Sequence, residues 1–257
     1  MTGMHEVVIV AVAGLAAGFV NALAGGGNLI AFPVLMAIGI PPIAANVTST
    51  VSVTPANAGG AYAQRERLEG QRPRIRLLLP IAIAGALLGA GLLLITPPDV
   101  FEYLIPVLLG LGVTLVIISP RIKRRLDLVC SLAPTGRRAT AVSAVGLFAA
   151  GLYGGYSGGG LGIIILAVLG AAIVDSVTRI SALKQLLATA IGVTATCIFL
   201  FSGEIIWIAA AVMLAGAVCG GYIGGHVANR VSPTALRYAI IGVGLVVTAV
   251  FAVRIYR

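Results

Sequence analysis

The triplet Gly25-Gly26-Gly27 returns as Gly158-Gly159-Gly160. Each copy lies nine residues after the start of an Ala-Ala-Gly, Ala16-Ala17-Gly18 in one case and Ala149-Ala150-Gly151 in the other. Three consecutive glycines weaken a helix, since glycine loses the most backbone entropy on ordering and brings no side chain to pack. Each triplet interrupts a long apolar stretch, and 59% of the chain is hydrophobic against 10% charged. That leaves too little polar surface for a soluble globule. The expected fold class is therefore all-α: a polytopic membrane helical bundle of two homologous repeats, each with a glycine-broken first helix, because hydrocarbon cannot satisfy free backbone groups.

Eight hydrophobic segments are expected, near residues 7–39 (broken at the triplet), 44–63, 77–95, 100–118, 139–172 (broken again), 177–201, 205–228 and 234–254. Val7 to Ala24 has the outline of a cleaved leader, but no Lys or Arg precedes it and the same pattern returns in mid-chain. It is read as a retained first helix. Gly85 and Gly89 are answered by Gly216 and Gly220, and Pro98 with Tyr103 by Pro233 with Tyr238. This predicts a first transmembrane repeat over 1–118, a basic linker over 119–138 and a second repeat over 139–257. The Gly-x-x-x-Gly pairs are expected to let helices pack closely in lipid.

The net charge of +9 does not indicate nucleic acid, because 11 of the 17 basic residues fall in two connecting stretches, 64–76 and 119–138. Two spans separate them, so both lie on one side, which the positive-inside rule makes cytoplasmic. If each broken segment crosses once, both termini are cytoplasmic as well; if it re-enters, the repeats are inverted. The sequence leaves both topologies open.

Cys130, Cys197 and Cys219 lack metal-ligand spacing, and two histidines with eight acids form no nucleophile–base set. No enzymatic activity, cofactor or bound metal is expected. The polar residues inside the spans are more informative. Lys184 lies about two turns into the segment after the second triplet, flanked by Ser181, Gln185 and Thr189, with Arg179 near the helix start. A charge at such depth is costly to insert and persists only with a reason, either a structural ion pair with Glu204 or, the favoured reading, an anion-attracting site. The matching place in the first half carries Asn46, Thr48, Ser49, Thr50, Ser52, Thr54 and Asn57. Asn46, Thr50 and Asn57 share a helical face suited to a cavity wall, and Thr48 and Ser52 form a second stripe.

A physical model follows from these positions. Gly25, Gly26 and Gly27, with Asn28 after them, and Gly158, Gly159 and Gly160 each end one half-helix and expose the amides that begin the next. Two positive helix ends then point toward the membrane middle. An anion fits between them, with Arg179, Ser181, Lys184 and Gln185 on one wall and the amide and hydroxyl stripe on the other. Rocking of one repeat against the other would alternate access.

With the two triplet segments, the Pro41-Pro42 turn, Thr48-Ser49, the basic linker and the stretch Ser181-Ala182-Leu183-Lys184-Gln185, the sequence resembles the TauE/SafE sulfite exporters, also known as domain family DUF81. The resemblance covers nearly the whole chain. Ser181 and Gln185 stand where that family commonly has asparagines, a departure that bears on substrate more than on fold. The resemblance implies a secondary transporter of a small anion such as sulfite or an organosulfonate, chiefly exporting it across a bacterial inner membrane. It leaves open a proton or sodium as coupling ion. The alternatives are a passive anion channel and a membrane scaffold that transports nothing.

Overall fold

The computed structural model describes residues 3–23, 26–129, 137–173, 175–227 and 233–256, and among them every regular element is helical. The first half runs α1 (Met4–Leu23), α2 (Asn28–Ala37), α3 (Pro42–Ala63), a short 3₁₀ turn (Arg65–Leu68), α4 (Arg72–Ile95) and α5 (Pro98–Val129). The second runs α6 (Arg137–Tyr156), α7 (Leu161–Ala172), α8 (Val177–Phe199), α9 (Trp207–Val227) and α10 (Pro233–Tyr256). Each expected broken segment is thus two helices, the second of them short. The stretch expected as a linker is helical at both ends: α5 continues past Ser119 to Val129, and α6 starts at Arg137.

Five of these helices, α1, α4, α5, α8 and α9, are long and apolar enough to cross a membrane. α3 has the length but not the hydropathy, because Asn46, Thr48, Ser49, Thr50, Ser52, Thr54 and Asn57 dilute it. Its solution is burial. Every residue from Ile43 to Thr50 is buried, so the more apolar helices shield this polar rod. Several of its hydroxyls turn inward on their own backbone: Ser52 Oγ donates to the Thr48 carbonyl at 2.6 Å and Thr54 Oγ1 to the Thr50 carbonyl at 2.7 Å. That bonding lets a hydroxyl sit within a membrane helix.

Helix directions follow from side-by-side contacts. Gly14 of α1 lies against Met213 of α9, and Gly18 against Ala217, so these two helices run parallel. In α4 and α6, Gly151 meets Ala82 and Gly155 meets Ala86, again in parallel. α3 also runs with α9, because the Ile206 amide donates to Thr48 Oγ1 at 3.1 Å and Ser52 Oγ to the Ala210 carbonyl at 3.2 Å. α8 runs against α3: Gln185 lies beside Gly60 and Thr54 beside Gly192.

Since α1 and α3 share a direction, α2 must bring the chain back to the end where α1 began. α7 does the same for α6, with Val168 returning to Gly146 and Leu161 starting at Gly154. Each broken segment thus doubles back within the bundle. α4 and α6 being parallel, their basic starts, Arg72 and Arg137, lie at one end of the bundle, and α1 starts at the other.

Two helix pairs hold the halves together, α1 with α9 and α4 with α6, and each unites one helix from either half. Their interfaces are backbone against backbone. A methyl group added at Gly18 would overlap the Ala217 carbonyl, and one at Gly89 the Leu152 carbonyl. Gly216 and Gly220 make the reciprocal approach to Ala11 and Leu15. The Gly-x-x-x-Gly expectation is realised in this form, with helices close enough for dispersion between main chains to replace the missing hydrophobic drive. Between the pairs, Phe101 of α5 takes Phe32 of α2 and Tyr156 of α6 edge-on, with ring centroids 6.3 and 5.7 Å away.

Because the backbones cannot part without losing the whole seam, Gly18→Val or Gly89→Val should cost about 3 kcal/mol or more, the upper range for overpacking. Gly91→Val, at a glycine with open space around it, should cost about 1 kcal/mol or less. Thermal unfolding of the three purified variants in detergent checks this. Equal melting temperatures would refute the seam.

Candidate functional site

A cavity of about 40 Å³ lies where the two glycine breaks meet the middle of the bundle. On the same measure a water needs roughly 10–15 Å³, so there is room for about three waters or one small solute. α3 contributes Thr50, Val53, Thr54 and Asn57, one helical face at i, i+3, i+4 and i+7. α8 contributes Gln185, Ala188 and Gly192 from its own central turns. Asn21 comes from the last turn of α1, Gly27 and Asn28 from the start of α2, and Gly154, Gly158, Leu161 and Gly162 from the second break.

The local sequence explains this placement. Gly158 and Gly160 adopt φ of +69° and +77°, left-handed values that other residues rarely take, and they turn the chain from α6 into α7. The Gly158 amide closes α6 on the Tyr153 carbonyl at 3.2 Å, and Tyr153 Oη donates to the Gly159 carbonyl at 2.6 Å, pinning the turn. Gly27 has an ordinary right-handed backbone. It is needed for space, because a side chain there would strike the Ala17 carbonyl.

Both short helices therefore begin at the cavity. At these starts the Leu29 and Leu161 amides already bond the Gly26 and Gly158 carbonyls, at 3.0 and 3.4 Å; each start carries the equivalent of about half a positive charge, and the neighbouring ends of α1 and α6 carry the opposite sign. Among the described residues lining the cavity, none is ionisable.

A carboxamide network spans the gap between the halves. Asn57 Oδ1 accepts from Asn21 Nδ2 at 2.6 Å and from Gln185 Nε2 at 3.3 Å, and Gln185 Nε2 also donates to the Asn57 carbonyl at 3.0 Å. One side chain of α3 thus ties α1 to α8. Asn28 Nδ2 donates to Thr50 Oγ1 at 3.3 Å, while Asn28 Oδ1 is buried with no donor among the described residues.

Of the residues singled out by sequence, Gly27, Asn28, Thr50, Asn57, Gly158 and Gln185 meet at this cavity. Gly25 lies outside the described residues. Gly26, Gly159 and Gly160 flank the wall without lining it. Asn46 leaves the expected stripe and donates to the Tyr156 carbonyl at 2.7 Å, joining α3 to the end of α6. Ser49 donates to the Asn46 carbonyl at 3.0 Å, and the second stripe, Thr48 and Ser52, faces α9. Lys184 is half-buried on α8 but is turned by about 100° from Gln185, which has the inward position, and Ser181, also half-buried, shares the face of Gln185 but lies one turn before the lining.

Sequence reasoning missed Asn21, Gly154 and Gly192 and undervalued Thr54. The signal for Asn21 was available: past His5 and Glu6 it is the one amide or charged side chain in an otherwise apolar α1.

Arg179 belongs to a different cluster, at the end of the bundle where α4 and α8 start. Its Nε lies 3.0 Å from Asp175 Oδ1, its Nη2 donates to the Glu69 carbonyl at 2.9 Å, and Arg74 Nη1 reaches Asp175 Oδ2 at 2.5 Å. Gln71 Nε2 completes the tie by donating to the Arg179 carbonyl at 3.2 Å. Burial pushes the Asp175 carboxyl up, but the bonds from Arg74, the Ser176 amide and Arg179 together outweigh it and hold the group below its ordinary value. The cluster clamps the α7–α8 turn onto the 3₁₀ turn before α4.

Folding lowers this pKa, so the associated stability is present above the unfolded value of about 3.9 and disappears as pH falls through the lowered one. Asp175→Asn should speed amide exchange in residues 175–180 at neutral pH and lower stability by about 1 kcal/mol, the scale for partly exposed pairs. It should also flatten the acid limb of the stability profile. Exchange mass spectrometry at neutral and acid pH reads both effects, and unchanged exchange would contradict the clamp.

Comparison with known proteins extends these observations. The family described as sulfite exporter TauE/SafE matches residues 10–251. A probable membrane transporter protein of a Sinorhizobium species, ORF9, is 29% identical over 87% of this chain and 84% of its own length. One from Haemophilus influenzae is 26% identical over 96% of this chain and 94% of its own. The probable membrane transporter protein YfcA of Escherichia coli is 23% identical over 91% and 84%. No solved structure matches the chain.

Proposed function

The chain belongs to the sulfite exporter TauE/SafE family and is a multi-pass membrane transporter; from that premise we propose that it is a secondary transporter exporting a small anion, such as sulfite or an organosulfonate, across a bacterial inner membrane. One observation carries this reading. The mid-bundle cavity gathers two helix starts and several carboxamides, with no carboxylate among the described residues of its lining. Such a set stabilises negative charge through dipoles and N–H donors.

The proposed working parts are residues 1–118 and 139–257, as inverted repeats joined through 119–138. Helix packing favours this division, because each half supplies a re-entrant helix and one partner to each glycine-faced pair. Alternating access follows if the two pairs rock about the α3–α8 contact, opening the cavity to one side and then the other. The basic end, carrying 64–76 and 119–138, is assigned to the cytoplasm by the positive-inside rule. Lys184, next to Gln185 but off the lining, adds a full charge at longer range and draws anions toward the cavity. A gradient of protons or of sodium supplies the driving force.

Purified protein in vesicles should move sulfite or a sulfonate against its gradient when an ion gradient is applied. Asn57→Leu and Gln185→Leu each remove donors that would face a charged solute, an interaction of about 1.5–3 kcal/mol. Flux should fall about tenfold or more. Lys184→Ala should raise the half-saturating concentration more than it lowers the maximal rate. Normal transport by both cavity variants would refute the site, and flux indifferent to every ion gradient would favour passive conduction.

A further inference from the structure

The charge count of the cavity wall goes further than the general preference for anions. Among the described residues lining it there is no Lys, Arg or His. The starts of α2 and α7 each bring the equivalent of about half a positive charge, and the ends of α1 and α6, whose Asn21 and Gly154 line the same space, offset them with the opposite sign. The wall therefore offers N–H donors and little fixed charge. A second negative charge in the same space would meet no ionisable partner in that lining, and the cost of taking an ion out of water rises with the square of its charge.

The halves also differ at one matching point. α2 starts with Asn28 where α7 starts with Leu161, and both residues face the cavity. Asn28 Nδ2 is held by Thr50 Oγ1, which leaves Oδ1 as a buried acceptor with no donor among the described residues. A carboxamide oxygen only accepts. It repels a bare oxyanion oxygen and is satisfied by a hydroxyl.

We infer that the cavity takes the singly charged, still protonated form of a small diprotic oxyacid in preference to its dianion, and that Asn28 reads the remaining proton. This rests on the reading that the cavity carries the transported anion. The solute is thereby a monoanion with one hydrogen to donate. The asymmetry between Asn28 and Leu161 gives that hydrogen one preferred side of the site.

Initial flux into vesicles containing the full chain tests this, with internal and external pH equal and varied together from about pH 6 to about pH 9, the span over which sulfite loses its second proton. Three probes are compared. Sulfite changes charge across the range, methanesulfonate stays a monoanion, and sulfate stays a dianion. Flux per total sulfite should fall about tenfold per pH unit once the dianion dominates, methanesulfonate flux should stay level, and sulfate should move at least about tenfold more slowly than methanesulfonate.

Asn28→Leu, which copies Leu161, should reduce the ratio of sulfite to methanesulfonate flux at about pH 6 several-fold. Asn28→Ala serves the same purpose if leucine perturbs folding, and methanesulfonate flux certifies that either variant is intact. Sulfate carried as fast as methanesulfonate, or sulfite flux unchanged at the alkaline end, overturns the charge preference. An unaltered flux ratio in both Asn28 variants overturns the role of Asn28. Failure to move any of the three anions overturns the transport reading instead.

Discussion

A peptide group in hydrocarbon has no water to turn to, so each interrupted helix must be surrounded by structure that answers its loose ends. This requirement organises the whole bundle. Each break is flanked by the helix it leaves, by the polar central helix of its own half and by elements of the other half. The first break lies beside Asn21 and Thr50, and the second is tied by Tyr153 and faced by Asn28. The same enclosure that makes the breaks tolerable creates a small polar space lined by amides, so the structural need and the binding chemistry share an origin.

Much of this was legible in the chain because it depends on glycine. Triplets that cannot sustain a helix, and Gly-x-x-x-Gly spacing that exposes backbone, act through local stereochemistry and give the same result in many contexts. The direction of α2 and α7 was not legible, because a half-length apolar helix satisfies its backbone equally well going forward or back. The shared direction of α1 and α3 along α9 decides it for α2, and the return of Val168 to Gly146 decides it for α7, neither of which is local. The side chains followed the same division. Hydroxyls at i and i+4 bonded their own backbone as local rules suggest, whereas Asn46 and Arg179 took distant partners, the Tyr156 and Glu69 carbonyls, which no spacing reveals.

Lys184 and Gln185 illustrate how far pattern reading reaches. The cost of a buried charge rightly drew attention to this turn of α8, and a single residue of helical rotation assigned the inward position to the amide. Across the cavity the two halves are complementary more than alike. Asn21, Asn28 and Asn57 supply amides in the first half where Gly154, Leu161 and Gly192 supply clearance or apolar surface in the second. A side chain large enough to bridge the gap needs a small residue opposite, so a site between similar halves becomes more polar on one side, with Gln185 the amide that the other supplies.

The crossed partnership of the glycine-faced helices bears on how the protein is made. α1 leaves the ribosome first, but its partner α9 is among the last helices synthesised, and α4 must wait for α6. Until then the exposed main-chain stripes of α1 and α4 face lipid or whatever insertion factor shelters them. Neither half can complete its own seams, so the chain matures as one interlocked unit, and assembly is finished only when its C-terminal helices arrive.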